Sequence, residues 1–128
     1  MPNILIVDDS PTIRRMVKAS LSALSARYVE AGSGLEAIEV LAVHGVDVII
    51  LDLNMPDMHG LDVLRFVRGH SQYRRVPVLV LTTRGDADSR GAAMQAGASA
   101  FMTKPFTPVA LAAAVGDLIS HVDAEPAR

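Results

Sequence analysis

The chain has 128 residues, half of them hydrophobic and 4% aromatic, with a formal net charge of −2 and no cysteine. That length fits one domain able to bury its own core, and the missing thiols exclude a disulfide framework, a thiolate zinc site and a cysteine nucleophile. Twelve basic against fourteen acidic residues, with no Trp, argue against a nucleic-acid surface.

The first segment, Ile4-Leu5-Ile6-Val7, is a short β-rich run stopped by Asp8 and Asp9. It lacks the basic start and long apolar stretch of a signal peptide, and runs such as Val48 to Leu51 are far too short for a membrane span. The expectation is a cytoplasmic chain with no membrane partner. Ser10-Pro11 reads as a helix cap followed by Pro at the first helical position, where its missing N–H costs nothing. Ile13, Met16, Val17, Leu21 and Leu24 follow at helical spacing. Arg27 to Ala31 is a second, weaker strand. Ser33 and Glu36 form a capping-box pattern opening a helix with Ile38 and Leu41 inward.

Val46 to Leu51 is the third strand, apolar nearly throughout, as expected where both faces are covered. A loop bracketed by Pro56 and Gly60 leads to a helix over Leu61 to Arg68. Pro77 to Leu81 is the fourth strand. Asp86 to Ala96 is a helix weakened by Gly91, which costs about 1 kcal/mol relative to Ala. Ala98 to Met102 is the fifth strand. Thr107-Pro108 repeats the cap-then-proline signal, and Leu111, Val115, Leu118, Ile119 and Val122 mark the buried stripe of the last helix. The domain is expected over residues 1–122, with 123–128 a disordered tail. Five strands alternating with five helices imply an α/β fold, a parallel sheet with helices on both faces.

In such sheets the working site lies beyond the carboxyl ends of the strands. Asp8 and Asp9 follow strand one, Asp52 ends strand three, Thr82 and Thr83 follow strand four, and Lys104-Pro105 follows strand five. Each residue alone has an ordinary structural reading as a cap, a strand end or a solvated charge. Together they put three carboxylates, a hydroxyl and an ammonium on one rim. Three hard oxygen donors without His or Cys select a hard divalent cation, Mg²⁺ above all, which binds one or two carboxylates plus phosphate oxygens. Lys104 and Thr82 add a charge and a donor suited to a phosphoryl group. Asp52, at the end of the most buried strand, is the candidate nucleophile for an aspartyl-phosphate.

At this point the motifs match a family. Val7-Asp8-Asp9, Leu51 to Gly60 ("LDLNMPDMHG"), Leu81-Thr82-Thr83 and Lys104-Pro105-Phe106, in that order, resemble a response-regulator receiver domain of two-component signalling over Ile4 to Val122. The resemblance implies a flavodoxin-like five-stranded sheet of order 2-1-3-4-5. It implies that Asp52 accepts a phosphoryl group from a histidine kinase or a histidine phosphotransfer domain, and that the chain catalyses its own phosphotransfer and dephosphorylation without being a conventional enzyme. Asp9, Asp52 and the backbone carbonyl of Asn54 would bind Mg²⁺ (or Mn²⁺), with Asp8 acting through water. Lys104 would contact the phosphoryl oxygens. Thr82 and Phe101 would be the switch pair, and Asn54 and Arg84 would tune the phosphoryl lifetime. Thr83, where many relatives carry a smaller residue, would restrict access to Asp52. Output would use the face of helix four, strand five and helix five, rich here in Ala and Met.

"SPTIRRMVK" (Ser10 to Lys18) is similar to the first helix of chemotaxis receivers, which favours a stand-alone chemotaxis-type regulator. The alternative is a receiver cut from a larger regulator or phosphorelay protein. A flavodoxin-type FMN binder would need a phosphate cradle where Asp8 and Asp9 stand. An aspartyl-phosphate phosphatase would need Asp-x-Asp, whereas adjacent acids on an extended segment point apart. The dispersed histidines, His44, His59, His70 and His121, read as surface residues, with His59 near enough in sequence to approach the site.

Overall fold

The computed structural model of the chain describes the backbone of residues 1–83 and 85–124, and the side chains of all but the last four of these. Five parallel strands, β1 (Asn3–Val7), β2 (Arg27–Ala31), β3 (Val48–Leu51), β4 (Val78–Thr82) and β5 (Ala100–Thr103), form one sheet of order β2-β1-β3-β4-β5. Four helices connect them, α1 (Pro11–Ser20), α2 (Gly34–Val43), α3 (Gly60–Gly69) and α4 (Ala87–Gln95), and a fifth, α5 (Pro108–Ala124), follows β5. The doubly wound fold with the expected strand order is therefore present.

The period of two along the strands explains the two layers. Leu5, Val7, Ile49, Leu51, Val78 and Val80 face α2, α3 and α4. Their alternates, Ile4, Ile6, Val48, Ile50, Leu79 and Leu81, face α1 and α5, meeting Val17, Leu111 and Val115. Because both faces are covered, β3 and β4 are buried at every position, which is why they read as unbroken apolar runs. Each fully buried Leu, Ile or Val contributes about 1.5–3 kcal/mol of transfer free energy.

The caps form as the sequence implies. Ser10 Oγ accepts from Ile13 N at 3.2 Å, and Ser33 Oγ accepts from Glu36 N at 3.1 Å while Glu36 Oε1 accepts back from Gly32 N at 2.5 Å. Thr107 Oγ1 accepts from Ala110 N at 3.2 Å.

Several boundaries differ from expectation. The third strand starts at Val48, not Val46, because Asp47 turns its hydrogen bonds onto Asn3: its N–H meets Asn3 O at 2.8 Å and its carboxylate takes Asn3 N at 2.7 Å. The first helix stops at Ser20. Leu21 caps it, Leu24 lies in a 3-10 turn, and Ser25 then takes a left-handed φ of 45°. On α2 the buried positions are Gly34, Ala37 and Leu41, and Ile38 is only half-buried. The last helix continues to Ala124, whereas Arg84, the side chain of Val122 and the tail from 125 onward lie outside the described residues. Among the described residues no helix is long and apolar enough to cross a membrane.

Candidate functional site

The strand ladder itself places the polar residues. One residue past each strand end, a backbone N–H still bonds the neighbouring strand: Asp8 N to Ala31 O at 3.1 Å, Asp52 N to Val7 O at 2.9 Å, and Lys104 N to Thr82 O at 2.8 Å. The sheet thus holds Asp8, Asp52 and Lys104 by their main chains, at the rim where its hydrogen bonds run out. Asp8 and Asp52 are 3% and 5% exposed and Thr82 is fully buried, while Asp9 is exposed.

The side chains converge. Asp8, Asp9 and Asp52 each offer a carboxylate oxygen within 4.8 Å of the others. Adjacency does not separate Asp8 from Asp9, because β1 ends at Val7 and the two acids leave the strand before they would alternate. Lys104 Nζ lies 2.6 Å from Asp8 Oδ2 and 3.7 Å from Asp52 Oδ1, an ammonium drawn among the acids. The other oxygen of Asp8 accepts from Ser10 N at 2.9 Å, and Asn54 N donates to Asp52 Oδ1 at 3.3 Å. Burial pushes the Asp52 carboxyl above the usual carboxylate range, and the charges of Asp8 and Asp9 push it further, against the opposing pull of Lys104 and the Asn54 N–H. An all-oxygen donor set with this repulsion fits a hard divalent cation.

Of the other sequence candidates, Asn54 donates its side-chain amide to Thr82 Oγ1 at 3.3 Å. Phe101 is half-buried, its ring against the α4-side core, with the Arg90 guanidinium 5.6 Å from its centroid. Thr83 is exposed. Arg84 lies outside the described residues. His59 is an exposed cap of α3, its Nδ1 accepting from Leu61 N at 3.1 Å.

Three residues that support the site carry no sequence signal of that role on their own. Asp57 reaches the first turn of α2, accepting from Leu35 N at 3.0 Å and Gly34 N at 3.2 Å. Those amides, Leu35 first, hold its carboxyl below the usual range and tie the loop after β3 in place. Gly60 packs α3 against the backbone of Asp52: a Cβ there would collide with the carbonyl oxygen of Asp52 and stand 2.6 Å from Leu53 Cα. Arg14 donates Nη1 to the main-chain oxygen of Asp8 at 2.5 Å. Neither this bond, six residues back in the chain, nor its ion pair with Glu30, 16 residues on, follows a helical or strand period.

The family model of the response regulator receiver domain matches residues 4–116. The chain belongs to that family. The receiver is 42% identical over 110 residues to the chemotaxis protein CheY1 of Helicobacter pylori, covering 84% of this chain and 89% of that protein. It is 37% identical over 126 residues to the chemotaxis protein CheY homologue of Campylobacter jejuni, covering 97% of each. Among solved structures, the chemotaxis protein CheY4 of Vibrio cholerae superposes with a TM-score of 0.86 at 36% identity, covering 92% of the receiver and 98% of that chain. As a receiver, the chain is a signalling switch of the two-component type.

Proposed function

We propose that this receiver takes a phosphoryl group from the phosphohistidine of a histidine kinase or phosphotransfer domain onto Asp52, in the manner of a single-domain chemotaxis regulator. The observation that carries the reading is the convergence of the Asp8, Asp9 and Asp52 oxygens within 4.8 Å, with Lys104 reaching into them. The chemotaxis assignment draws on relatives of that name matched over 89% and 97% of their own lengths.

A Mg²⁺ ion, or Mn²⁺, supplies charge neutralisation for the entering phosphoryl oxygens when bound. Asp9, Asp52 and the carbonyl of Asn54 would hold it. Both oxygens of Asp8 are engaged, by Lys104 and by Ser10 N, which suits a role through water. An oxygen of Asp52 attacks phosphorus, the P–N bond to the donor imidazole breaks, and the imidazole keeps the electron pair and takes a proton from water. Lys104 turns from Asp52 toward the phosphoryl oxygens. Thr82 leaves its bond with Asn54 to donate to the phosphoryl group, and Phe101 turns further inward. The face of α4, β5 and α5 then reads out the change to a downstream protein; Met94 there is 43% exposed, while Ala93 is core. Asn54 and Arg84 set the lifetime of the acyl phosphate.

The test is intact mass after incubation with acetyl phosphate. One phosphoryl adduct is expected with Mg²⁺, none with chelator, and none on Asp52→Asn or Asp9→Ala. Equal adduct with and without the cation would overturn the reading.

A further inference from the structure

Arg14 and Lys18 lie one turn apart on α1 and both reach Glu30 on β2: Arg14 Nε to Glu30 Oε1 and Lys18 Nζ to Glu30 Oε2, each at 2.8 Å. Arg14 is the less exposed of the two, its side chain 16% exposed against 41% for Lys18. With its Nε fixed on Glu30, the planar fork aims Nη1 at the main-chain oxygen of Asp8, 2.5 Å away. That oxygen belongs to the peptide joining Asp8 to Asp9. The preceding peptide is held as well, by Asp8 N on Ala31 O at 3.1 Å. The Asp8 carboxylate is anchored at both oxygens. Asp9 differs: among the described residues no hydrogen bond reaches its carboxylate, which is exposed, so only its backbone anchor limits the positions its rotamers can reach, one of which lies within 4.8 Å of the Asp52 oxygens.

We infer that Arg14 is a positioning residue for the cation, fixing the Asp8–Asp9 peptide so that Asp9 presents its carboxylate toward Asp52. The inference rests on the reading of Asp9 as a metal ligand given above. It makes the Glu30–Arg14 pair an outer support of the site, anchored on β2, rather than a surface ion pair that only ties α1 to the sheet. The two roles differ in sign. Losing a positive charge beside an acidic cluster tightens a cation site by electrostatics alone, whereas losing the orientation of a ligand weakens it. Outer partners of metal ligands typically carry about 10–100-fold in affinity.

The experiment is calorimetric titration of MgCl₂ into the full chain without phosphodonor, for the native protein, Arg14→Ala, Arg14→Lys and the exposed neighbour Arg15→Ala. Arg14→Ala should bind Mg²⁺ about tenfold more weakly, Arg14→Lys should fall between it and native, and Arg15→Ala should not weaken. The half-saturating Mg²⁺ for adduct formation should rise with the calorimetric constant while the rate at saturating Mg²⁺ is kept. If Arg14→Ala does not fold, Arg14→Met keeps the packed stem without the fork and should show the same weakening. Unchanged or tighter Mg²⁺ binding in the folded variant, even with a lower melting temperature, would overturn the inference. A native chain that gives no Mg²⁺ binding would instead overturn the cation reading beneath it.

Discussion

Replacing Asp52 with Asn should stabilise the cation-free protein. Asp52 lies within 4.8 Å of carboxylate oxygens of both Asp8 and Asp9 and 3.7 Å from Lys104. At an effective dielectric of about 20, each repulsion costs at least ~3.5 kcal/mol and the attraction returns ~4.5 kcal/mol. The Asp8 and Lys104 terms thus sum to about −1 kcal/mol, solvent screens the repulsion from exposed Asp9 to about 1 kcal/mol, and burying the Asp52 carboxylate adds about 2 kcal/mol, so ionised Asp52 costs a net of about 2 kcal/mol. The substitution keeps the shape and leaves Lys104 paired with Asp8 at 2.6 Å. Unfolding entropy near 2.1 cal/mol/K per residue over this length makes 2 kcal/mol worth roughly 7 °C.

Because the folded value of the Asp52 carboxyl lies above the unfolded one, the ionised group costs stability at every pH above it. The cost fades as pH falls toward the ordinary carboxylate range, and so should the difference between native and variant. Scanning calorimetry in chelator at neutral pH measures the gain. Added Mg²⁺ at a hundred times its dissociation constant should then raise the native protein by about 2.7 kcal/mol and the variant by much less. An Asn variant melting at or below the native chain in chelator would refute the reasoning, because the acids would then not be in mutual repulsion.

Gly60→Ala should destabilise by about 1–3 kcal/mol and slow phosphorylation, since the new Cβ must displace the backbone of Asp52 and Leu53; denaturant unfolding and the adduct rate check the two effects. Thr82→Ala should accept the phosphoryl group but lose most of the change on the α4–β5–α5 face, read by amide hydrogen exchange with and without phosphodonor. Lys18 and Arg14 lower the Glu30 carboxyl, so its contribution is present above the ordinary Glu value and lost as pH falls through the lowered one. The stability gap between native and Glu30→Gln should therefore close in acid, at a pH below about 4.3.

The rim of the site was legible because the fold rule points to the carboxyl ends of the strands, where Asp8, Asp52 and Lys104 stand one residue past β1, β3 and β5 and Thr82 is the last residue of β4. Caps were legible for the same local reason: Ser10, Ser33 and Thr107 bond amides three residues on. Long-range supports were not. Asp57 caps α2 across 22 residues and Arg14 meets Glu30 across 16, and neither separation leaves a periodic trace. Strand starts were misplaced where apolar character outran pairing: Val46 is apolar, yet the ladder of β3 begins at Val48, opposite Ile4. The break after Ser20 was hidden because Leu21 and Leu24 keep the helical spacing, both packing on the α1–α5 side of the sheet.

The most direct test of the central claim is to locate the phosphoryl group. Phosphorylation from acetyl phosphate with Mg²⁺, reduction with borohydride and peptide mass mapping should find homoserine at position 52 and nowhere else. Reduction at Asp8 or Asp9, or a borohydride-resistant phosphate on Thr82, would contradict the account.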